Sequence, residues 1–574
     1  MDTKFAGAAY RHFLIWGVCS SLAVTVCTLV DAALVGNLIG SNGLAVANLS
    51  TPVFLLYALL GTTLGVGANV RIGKLLGASD TAGANRVFHA QLCLGLMVGV
   101  LSLSPLLFRD AYFSFLGVTE ELYPLAEQYL TVVMWSAPVF VMYHILSVSV
   151  RTDSDPRLSA VASAAVIFTN LTLDLLFMKV LSWGIAGASA SLCIAEALGV
   201  LVLLTHFCKK NRLLTLRLSL PTPRDIGSFV YNGFGMGSAS IFGAVVMLVF
   251  NTLLLRHGGD GGALSVAVFG VLYTVSTIPC GVFEGAANAL STVTAFLVGE
   301  SDTDGIAAVL KRALAVAAVS GGVLAVLCAV CPGQLMGLFG IRESAGGHAS
   351  DAMRIYAVSI VFAGINTVVT AFWQSIERAK LAGAMSVLRN CLLLLALGTL
   401  LIPGAGIRGL ALAYAGAEAL CTLFLLAVRI IRPSGAYISR RYGLTGNCIE
   451  RSYPIAADSM EQISRDLEAV CDAWQIGAGQ AFVINFICEE LLLNIIKFGL
   501  GSAEKANGRS YISIRLMEKG DDYILRIRDN VRSYNPFESG GDAIDTGVLK
   551  LIRKKTKFCS YQRKMIFNYL YMVI

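Results

Sequence analysis

Three polar side chains within apolar stretches are the residues of this sequence best suited to bind a small cation. Asp31 lies in one such stretch, and Asn170 and Asp174 lie four positions apart in another. On a helix, this spacing places the amide and the carboxylate on one face. A carboxylate inside a hydrophobic helix costs about 2.5–3.5 kcal/mol and is a functional-site hypothesis by default. The group could relay protons or form an oxygen shell for Na⁺, and the pattern does not choose between them.

These acids belong to the first half of an internal repeat and are missing from the second half. Residues 183–198 (WGIAGASASLCIAEAL) resemble residues 405–420 (AGIRGLALAYAGAEAL), an offset of 222 positions (405 minus 183). The same offset aligns GASDT at 77–81 with GESDT at 299–303. Under this alignment the three candidate cation ligands fall on apolar residues, namely Leu253, Leu392 and Ala396. A duplicated fold with acids in one half suggests a pseudo-symmetric transporter with an ion site in one lobe.

The composition is that of a membrane protein followed by a water-soluble tail. The chain is 56% hydrophobic and 14% charged, with a mean hydropathy of +0.70. Residues 433–574 carry 19 Lys/Arg and 16 Asp/Glu, against 25 and 21 in the three-fold longer stretch 1–432. The modest net charge of +7 is no sign of nucleic-acid binding, because the distribution of charged residues has a better explanation, namely apolar stretches followed by a charge-dense soluble tail.

Twelve apolar stretches are long enough to cross about 30 Å of hydrocarbon. They lie near residues 13–36, 47–70, 88–108, 124–149, 158–178, 184–207, 227–255, 264–297, 309–334, 352–376, 381–402 and 406–431. Basic residues are concentrated in every second connection, beginning with Arg71 and Lys74 after the second stretch. By the positive-inside rule, these connections, both termini and the tail face the cytoplasm.

We therefore expect an all-α polytopic membrane protein with a small C-terminal α/β sandwich domain. Its twelve transmembrane helices form two pseudo-symmetric six-helix lobes. Lobe 1 covers residues 1–215, lobe 2 covers 216–435, and the tail domain covers 445–574. The lipid bilayer is thus a partner of the chain.

Three spaced motifs resemble the MATE (multidrug and toxic compound extrusion) family of transporters. TLVDAALVGNLIGSNGLAVAN (28–48) is similar to the first helix of that family, and VRTDSDPRLSA (150–160) to its RxxGDPR loop, with Ser154 where Gly is usual. NLTLDLLFMKVLSWGIAGASAS (170–191) resembles its helix 5–6 segment. The similarity covers roughly residues 10–432.

The resemblance implies an antiporter of the bacterial inner membrane that rocks between inward-facing and outward-facing states. It places Asp31, Asn170 and Asp174 at the cation-coupling positions of the first lobe. The implied function is export of amphipathic, cationic small molecules in exchange for H⁺ or Na⁺, with no cofactor needed for transport. Some branches of the family carry acids on helices 7 and 10, which are absent here.

Other polar residues inside the spans are candidates for the substrate cavity or for structural contacts. Glu196 and Glu418 occupy equivalent places in both halves, and we interpret this symmetric pair as structural rather than coupling. The candidates for residues that line the substrate cavity are Glu284, His144, Asn366 and Gln374.

The tail combines short strand-like runs with amphipathic helices. FICEELLLNIIKFG (486–499) puts Glu490 and Asn494 on one helical face, and RIRDNVRSYNPFE (526–538) and DTGVLKLIR (545–553) follow it. These segments resemble GHKL-type ATP-binding domains of the anti-sigma-factor-kinase branch. The resemblance implies that Glu490 is the base position, Asn494 the Mg²⁺ position, Asp529 the adenine contact and Gly547 part of the second glycine box.

One departure from that pattern favours nucleotide sensing over a working kinase. Val531 stands where the first box has Gly, and a β-branched residue tolerates close nucleotide approach and φ > 0 poorly. We expect a tail that regulates transport through ATP/Mg²⁺ or through a cytoplasmic protein partner. The chain itself is then a transporter rather than an enzyme, with no catalytic residue assigned.

Two alternatives remain open from the sequence. A flippase for lipid-linked precursors, from the same superfamily, would need a cavity rich in Arg and Lys, and few basic residues lie within the spans. A membrane-tethered signalling kinase would use the spans only as a sensor. That second alternative does not explain why the intramembrane aspartates occur in only one half of the repeat.

Overall fold

The computed structural model describes most of the chain, in two compact units. The residues that it describes are 3–39, 41–116, 118, 120, 122–257, 262–338, 347–431, 433–442, 446–456, 458–499, 510–520, 522–531, 552 and 554–574. The helical unit consists of Tyr10–Glu300 and Val309–Ser434. The tail unit consists of Met1–Ala9, Ser301–Ala308 and Gly435–Ile574. The tail domain predicted as residues 445–574 is thus joined in one unit by two short segments from elsewhere in the chain.

The first half of the chain forms long apolar helices joined by short turns. They are α1 (Lys4–Ile39), α2 (Ser41–Gly77), α3 (Thr81–Leu101), α4 (Arg109–Phe115), α5 (Tyr123–Trp135), α6 (Ala137–Thr152), α7 (Pro156–Asp174) and α8 (Gly184–Leu204). A π-helical turn, Leu175–Val180, extends α7. Helices α5 and α6 are bent by 46° at their junction. Pro138 at the start of α6 removes a backbone donor there, which accounts for the break.

The second half repeats this pattern. Its helices are α9 (Pro223–His257), α10 (Gly262–Glu300), α11 (Thr303–Val330), α12 (Pro332–Leu338), α13 (Gly347–Ser375), α14 (Ala379–Val387) and α15 (Leu393–Ile431). A π-helical turn, Leu388–Leu392, joins α14 to α15. Within α15, Gly406 has φ 54° and ψ −129°, so the helix is interrupted at that residue.

The mostly helical, polytopic architecture is confirmed, whereas the number of spans differs from the predicted twelve. Among the described residues, ten helices are long and apolar enough to cross a membrane, or eleven if α5 and α6 form one bent span. One of the ten, Ala478–Lys497, belongs to the tail unit. The two stretches predicted at 381–402 and 406–431 form one 53-residue segment, Ala379–Ile431, because the interruption at Gly406 is short.

The internal repeat is visible in the backbone as well as in the sequence. Gly184 has φ 58° and Gly406 has φ 54°, and these two positions are 222 residues apart (406 minus 184). Asp80 and Asp302, separated by the same offset, each accept a 2.8 Å hydrogen bond from the backbone N–H three residues ahead. Equivalent residues therefore cap equivalent helices, as a duplicated fold requires.

The two lobes contact each other closely where α2 of lobe 1 lies against α9 and α10 of lobe 2. A Cβ at Gly67 would lie 1.9 Å from the Phe229 carbonyl oxygen, and one at Gly233 would lie 1.9 Å from the Thr63 carbonyl oxygen. Only glycine allows two helix backbones to approach this closely, as in other membrane helix pairs. The lobes are therefore in direct backbone contact along α2.

The tail unit contains a five-stranded antiparallel sheet in the order β1-β2-β3-β5-β4. The strands are β1 (Cys448–Pro454), β2 (Tyr511–Lys519), β3 (Asp522–Asp529), β4 (Phe558–Lys564) and β5 (Phe567–Val573). The register pairs Ile512 with Asp529 and Asp529 with Asn568.

Helices α16 (Ser434–Tyr442), α17 (Ser459–Ala473) and α18 (Ala478–Asn494) complete the unit. Alternate strand residues pack with α17 and α18 into one hydrophobic core. A small sheet with helices on one face is thus present.

Buried charges on the tail sheet lie close to the two short segments of the same unit. Arg515 and Arg528 are each 1% exposed, and the Arg528 guanidinium lies 2.5 Å from a carboxylate oxygen of Glu450. Arg515 donates a 3.0 Å hydrogen bond to the Ser301 carbonyl oxygen. The Arg528 guanidinium carbon lies 3.9 Å from the centroid of the Phe5 ring. Residues 3–9 and 301–308 are thereby part of the tail's packing.

Candidate cation site

The Asp174 carboxylate is the centre of a fully buried polar cluster in lobe 1. Asp174 is 0% exposed and Asn170 is 1% exposed. The Asn170 Nδ2 donates a 3.1 Å hydrogen bond to Asp174 Oδ2, and the Ser191 hydroxyl donates to Asp174 Oδ1. The four-residue spacing predicted the first of these contacts. The cluster brings a carboxylate, an amide and a hydroxyl together.

Two helices and a local distortion position this cluster. Asp174 is the last residue of α7, and the π-helical turn Leu175–Val180 follows at once. Ser191 lies on α8, which packs against α7. The rings of Phe177 and Trp183 stack at 4.7 Å between the two helices. Because π-helical turns are rare and frequent at functional sites, the break beside Asp174 fits a binding role.

One oxygen of the cluster has no partner among the described residues. The Asn170 Oδ1 atom is buried and accepts no hydrogen bond from them. A buried acceptor without a partner is costly, unless a ligand such as a cation satisfies it. Oxygens of Asp174, Asn170 and Ser191 are suitable ligands for Na⁺, and the Asp174 carboxylate alone is a suitable proton carrier.

Asp31, the third predicted ligand, lies on α1, whose backbone is helical at this position. Its side chain lies outside the described residues, so its place in the cluster stays a prediction. Sequence reasoning missed Ser191. This serine lies within the segment whose likeness between the two halves revealed the repeat, at a position occupied by Ala413 in the second half.

Lobe 2 has a different polar network around its buried acid Glu418. Arg389 Nε donates a 2.8 Å hydrogen bond to Glu418 Oε1, and Asn366 Nδ2 donates a 2.6 Å hydrogen bond to Glu418 Oε2. Arg389 also donates to the Thr367 hydroxyl at 2.8 Å. The guanidinium of Arg389 thus neutralises the carboxylate of Glu418. Asn366, predicted to line the substrate cavity, is 0% exposed and belongs to this network.

The remaining cavity candidates differ in exposure. Gln374 is 0% exposed and donates a hydrogen bond to the Asn232 carbonyl oxygen, so in this conformation it is an interior residue rather than a cavity-lining one. His144 is half-buried, with Nδ1 3.0 Å from the Phe140 carbonyl oxygen. Glu284 is exposed on α10, and it interacts electrostatically with Arg389. Glu284 is the exposed member of the four candidates, so its side chain is the best placed of the four to meet a ligand.

Two ion pairs connect the lobes near the basic end of α2. Arg71 Nη1 lies 3.0 Å from Asp225 Oδ1 at the start of α9. Lys74 Nζ lies 2.9 Å from Glu377 Oε2 in the turn before α14. Partly exposed pairs of this kind contribute little stability, about 0–1 kcal/mol each. Their position matters more, because both join lobe 1 to lobe 2 on the same side.

The TDSDPR loop between α6 and α7 is fixed by a histidine held between two carboxylates. His206 Nε2 lies 2.7 Å from Asp153 Oδ2, and His206 Nδ1 lies 3.1 Å from Asp155 Oδ2. Burial raises the pKa of Asp155, but hydrogen bonds from His206 and Lys209 outweigh it and hold this pKa below its usual range. Ser154 has φ 70°, a left-handed conformation that explains why Gly is usual at this position.

The tail residues predicted to bind nucleotide are only partly described. Asn494 Nδ2 donates a 2.8 Å hydrogen bond to the Glu490 carbonyl oxygen, and both residues are half-buried on α18. Asp529 Oδ1 accepts a 2.7 Å hydrogen bond from Asn568 Nδ2. Val531 is 1% exposed and belongs to the tail's hydrophobic core. Gly547 lies outside the described residues, so the nucleotide site stays a prediction.

Comparison with known proteins agrees with the helical architecture and the repeat. A profile of the MatE family matches residues 18–176 and 236–400, which together are more than half of the chain. The chain therefore belongs to the MatE family of multi-pass membrane transporters and is not an enzyme.

Relatives and solved structures cover the same part of the chain. The chain is 24% identical over 426 residues to the "Multidrug export protein MepA" of Staphylococcus saprophyticus, covering 73% of this chain and 93% of that protein. MepA of Staphylococcus aureus strain MRSA252 is 24% identical over 436 residues, with shares of 74% and 94%. A crystal structure of MATE in complex with MaL6 has a TM-score of 0.70 at 22% identity, covering 75% of this chain and 97% of that one. These structures share the fold of the helical unit.

Proposed function

We propose that this protein is a multidrug antiporter that exports amphipathic, cationic molecules in exchange for H⁺ or Na⁺. The observation that carries the proposal is the buried cluster around Asp174, with an open acceptor on Asn170, in lobe 1. Cation binding to a site in one lobe can shift the equilibrium between two lobe arrangements, provided that the two arrangements bind the cation with different affinity. Substrate and cation then exchange across the membrane.

The proposed protein crosses the membrane twelve times. This number follows from the candidate spans of the helical unit, with α5 and α6 as one bent span, together with α1 and a division of Ala379–Ile431 at Gly406. The basic connections, both termini and the tail lie in the bacterial cytoplasm by the positive-inside rule. In that orientation the ion pairs of Arg71 and Lys74 join the two lobes on the cytoplasmic side.

The substrate class rests on two supports. The relatives are named multidrug export proteins, and they align with the chain over nearly their whole length. Within the chain, the exposed carboxylate of Glu284 on α10 would attract a cationic group. Arg389 is paired with Glu418, so it offers no free cation for a lipid pyrophosphate. A precursor flippase is therefore the weaker interpretation.

The tail is proposed to regulate transport. Its sheet carries Arg515, whose guanidinium contacts Ser301 in the turn between α10 and α11. A change in the tail's packing would thus act on residues at the start of a lobe 2 helix. ATP with Mg²⁺ at Glu490, Asn494, Asp529 and Gly547, or a cytoplasmic protein partner, would supply that change.

Transport in reconstituted vesicles tests the proposed function. The purified full-length chain is placed in vesicles, and a cationic fluorescent dye is followed under an imposed pH gradient, an imposed Na⁺ gradient or neither. We expect gradient-dependent dye movement with one of the two cations. Dye movement that is equal in all three conditions would contradict antiport.

A further inference from the structure

Glu196 and Glu418 are equivalent residues of the two lobes, yet their surroundings differ. Both are largely buried, with 8% and 9% exposure. The Glu418 carboxylate lies 2.8 Å from Arg389 Nε and 2.6 Å from Asn366 Nδ2, so both of its oxygens are satisfied. The residues that align with Arg389 and Asn366 in lobe 1 are Ile167 and His144. Lobe 1 therefore has the equivalent acid, Glu196, but no arginine at the position equivalent to Arg389.

The Glu196 carboxylate has none of these partners. Its Oε2 atom is fully buried and accepts no hydrogen bond from any described residue. Within the described part of the chain, no Lys, Arg or His side chain lies within ion-pair distance of it. The Cys193 thiol on the same helix is the titratable group that interacts with it electrostatically.

Among the described residues, the charged groups on the elements packed against α8 have other partners or form no ion pair with Glu196. Glu127 on α5 pairs with Arg109, and His144 on α6 contacts the Phe140 carbonyl oxygen. Asp174 on α7 is bonded to Asn170 and Ser191. The other groups on packed elements are His206, held by Asp153 and Asp155, and Arg151 at the end of α6.

An ionised carboxylate in this place would be expensive. Burying a charge without a partner costs far more than burying a neutral group, and such groups normally become neutral instead. Na⁺ would need several oxygen ligands, and no group of three or more His, Cys, Asp or Glu side chains suited to hold a metal ion is found around Glu196 within the described residues. A proton is the cation that a single carboxylate can bind without help.

We propose that Glu196 is a proton-binding carboxyl group of lobe 1, protonated in this conformation and exchanging its proton during transport. The proposal rests on the antiport function, adds a proton site separate from the cation site at Asp174, and replaces the structural role that the symmetry of the pair suggested for Glu196. One proton binds the carboxylate from the aqueous phase on one side and leaves to the other side when the lobes rearrange. Glu418, neutralised by Arg389, carries no exchangeable proton. The repeat thus supplies its own matched control.

Infrared spectroscopy of the full-length protein in lipid tests the protonation directly. A buried neutral carboxyl group gives a C=O stretching band that is separate from the bands of carboxylates. This C=O band shifts when the protein is transferred to D₂O. We expect this band in the wild type, its selective loss in Glu196→Gln and its retention in Glu418→Gln. An unchanged band in Glu196→Gln, with the variant folded, would overturn the assignment.

Transport measurements test the exchange. In vesicles, Glu196→Gln should lower the number of protons moved per substrate and flatten the pH dependence of efflux, while substrate binding is retained. A proton count and pH profile equal to those of the wild type would overturn the exchange. If wild-type vesicles show no gradient-driven efflux at all, antiport fails, whereas the infrared band still decides whether Glu196 is protonated.

Discussion

At the scale of single residues, the two lobes balance a buried carboxylate in different ways. Asp174 in lobe 1 accepts hydrogen bonds from an amide and a hydroxyl, which orient its carboxylate. Glu418 in lobe 2 is held by Arg389, a cation that cannot leave. Removing one partner of such a buried pair typically costs about 3–5 kcal/mol. We infer that exchange of cations belongs to lobe 1.

Ser191 should tune cation binding at Asp174 without being a charged ligand. A hydrogen bond to a charged group is worth about 1.5–3 kcal/mol, so Ser191→Ala should shift the cation dependence about 10- to 100-fold. The shift is toward weaker binding if the hydroxyl oxygen ligates Na⁺, and toward tighter binding if the hydroxyl only stabilises the unprotonated carboxylate. The measurement is the cation concentration that gives half-maximal efflux. Ser189→Ala is the matched control, because the Ser189 hydroxyl bonds only to the Ala186 carbonyl oxygen. Equal effects of the two substitutions would remove Ser191 from the site.

The sequence predicted part of this site for identifiable reasons. Asn170 and Asp174 are four residues apart on one helix, so periodicity alone brings them together. Ser191 is 17 positions away from Asp174, on the next helix, and only the packing of α8 on α7 makes it a partner. Asn366 and Gln374 are polar residues in apolar spans that tertiary contacts bury, which periodicity cannot distinguish from residues that line a cavity.

At the scale of helices, backbone contact between α2 and α9 defines how the lobes meet. The Gly67 and Gly233 positions each lie against a carbonyl oxygen of the facing helix. Hydropathy predicted that both helices exist, because each contains a long apolar stretch. It could not predict which glycines contact the other lobe, or that Gly406 adopts positive φ, since those features depend on packing and local geometry.

Gly233→Ala should destabilise this contact. The added Cβ would lie 1.9 Å from the Thr63 carbonyl oxygen, so the helices must separate, and overpacking of this kind costs about 1–3 kcal/mol. Gly243→Ala on the same helix is the control, because nothing lies within 4 Å of its Cβ position. We expect Gly233→Ala to unfold at a lower temperature than the wild type and to export dye more slowly. We expect Gly243→Ala to match the wild type in both measurements. Indistinguishable unfolding temperatures would show that α2 and α9 do not pack this closely.

At the scale of the whole molecule, the chain consists of a MatE helical unit and a tail unit with its own hydrophobic core. Composition predicted this division, because the charge density rises beyond residue 432. It could not predict that residues 1–9 and 301–308 belong to the tail unit, since those contacts join distant parts of the sequence. An isolated 445–574 fragment would therefore lack part of its unit.

Nucleotide binding by the tail is best measured on the full-length chain. Val531 is packed in the core where the resembling family has Gly, so we expect weak ATP binding, in the high micromolar range or above. Binding should fall further in Asp529→Asn and stay unchanged in Asp522→Asn, which alters an exposed pair at the other end of β3. A fluorescent ATP analogue provides the measurement. Tight ATP binding that is unchanged in Asp529→Asn would show that the proposed nucleotide site is wrong.

The central claim is that gradient-driven transport depends on the carboxylate of Asp174 in lobe 1. The most direct measurement is dye efflux from vesicles containing Asp174→Asn, under the cation gradient that drives the wild type. Thr172→Ala is the control, because the hydroxyl of this exposed residue on α7 donates to the Phe168 carbonyl oxygen of its own helix. We predict that Asp174→Asn binds dye but loses gradient-driven efflux, whereas Thr172→Ala retains it. Full efflux by Asp174→Asn would contradict the claim.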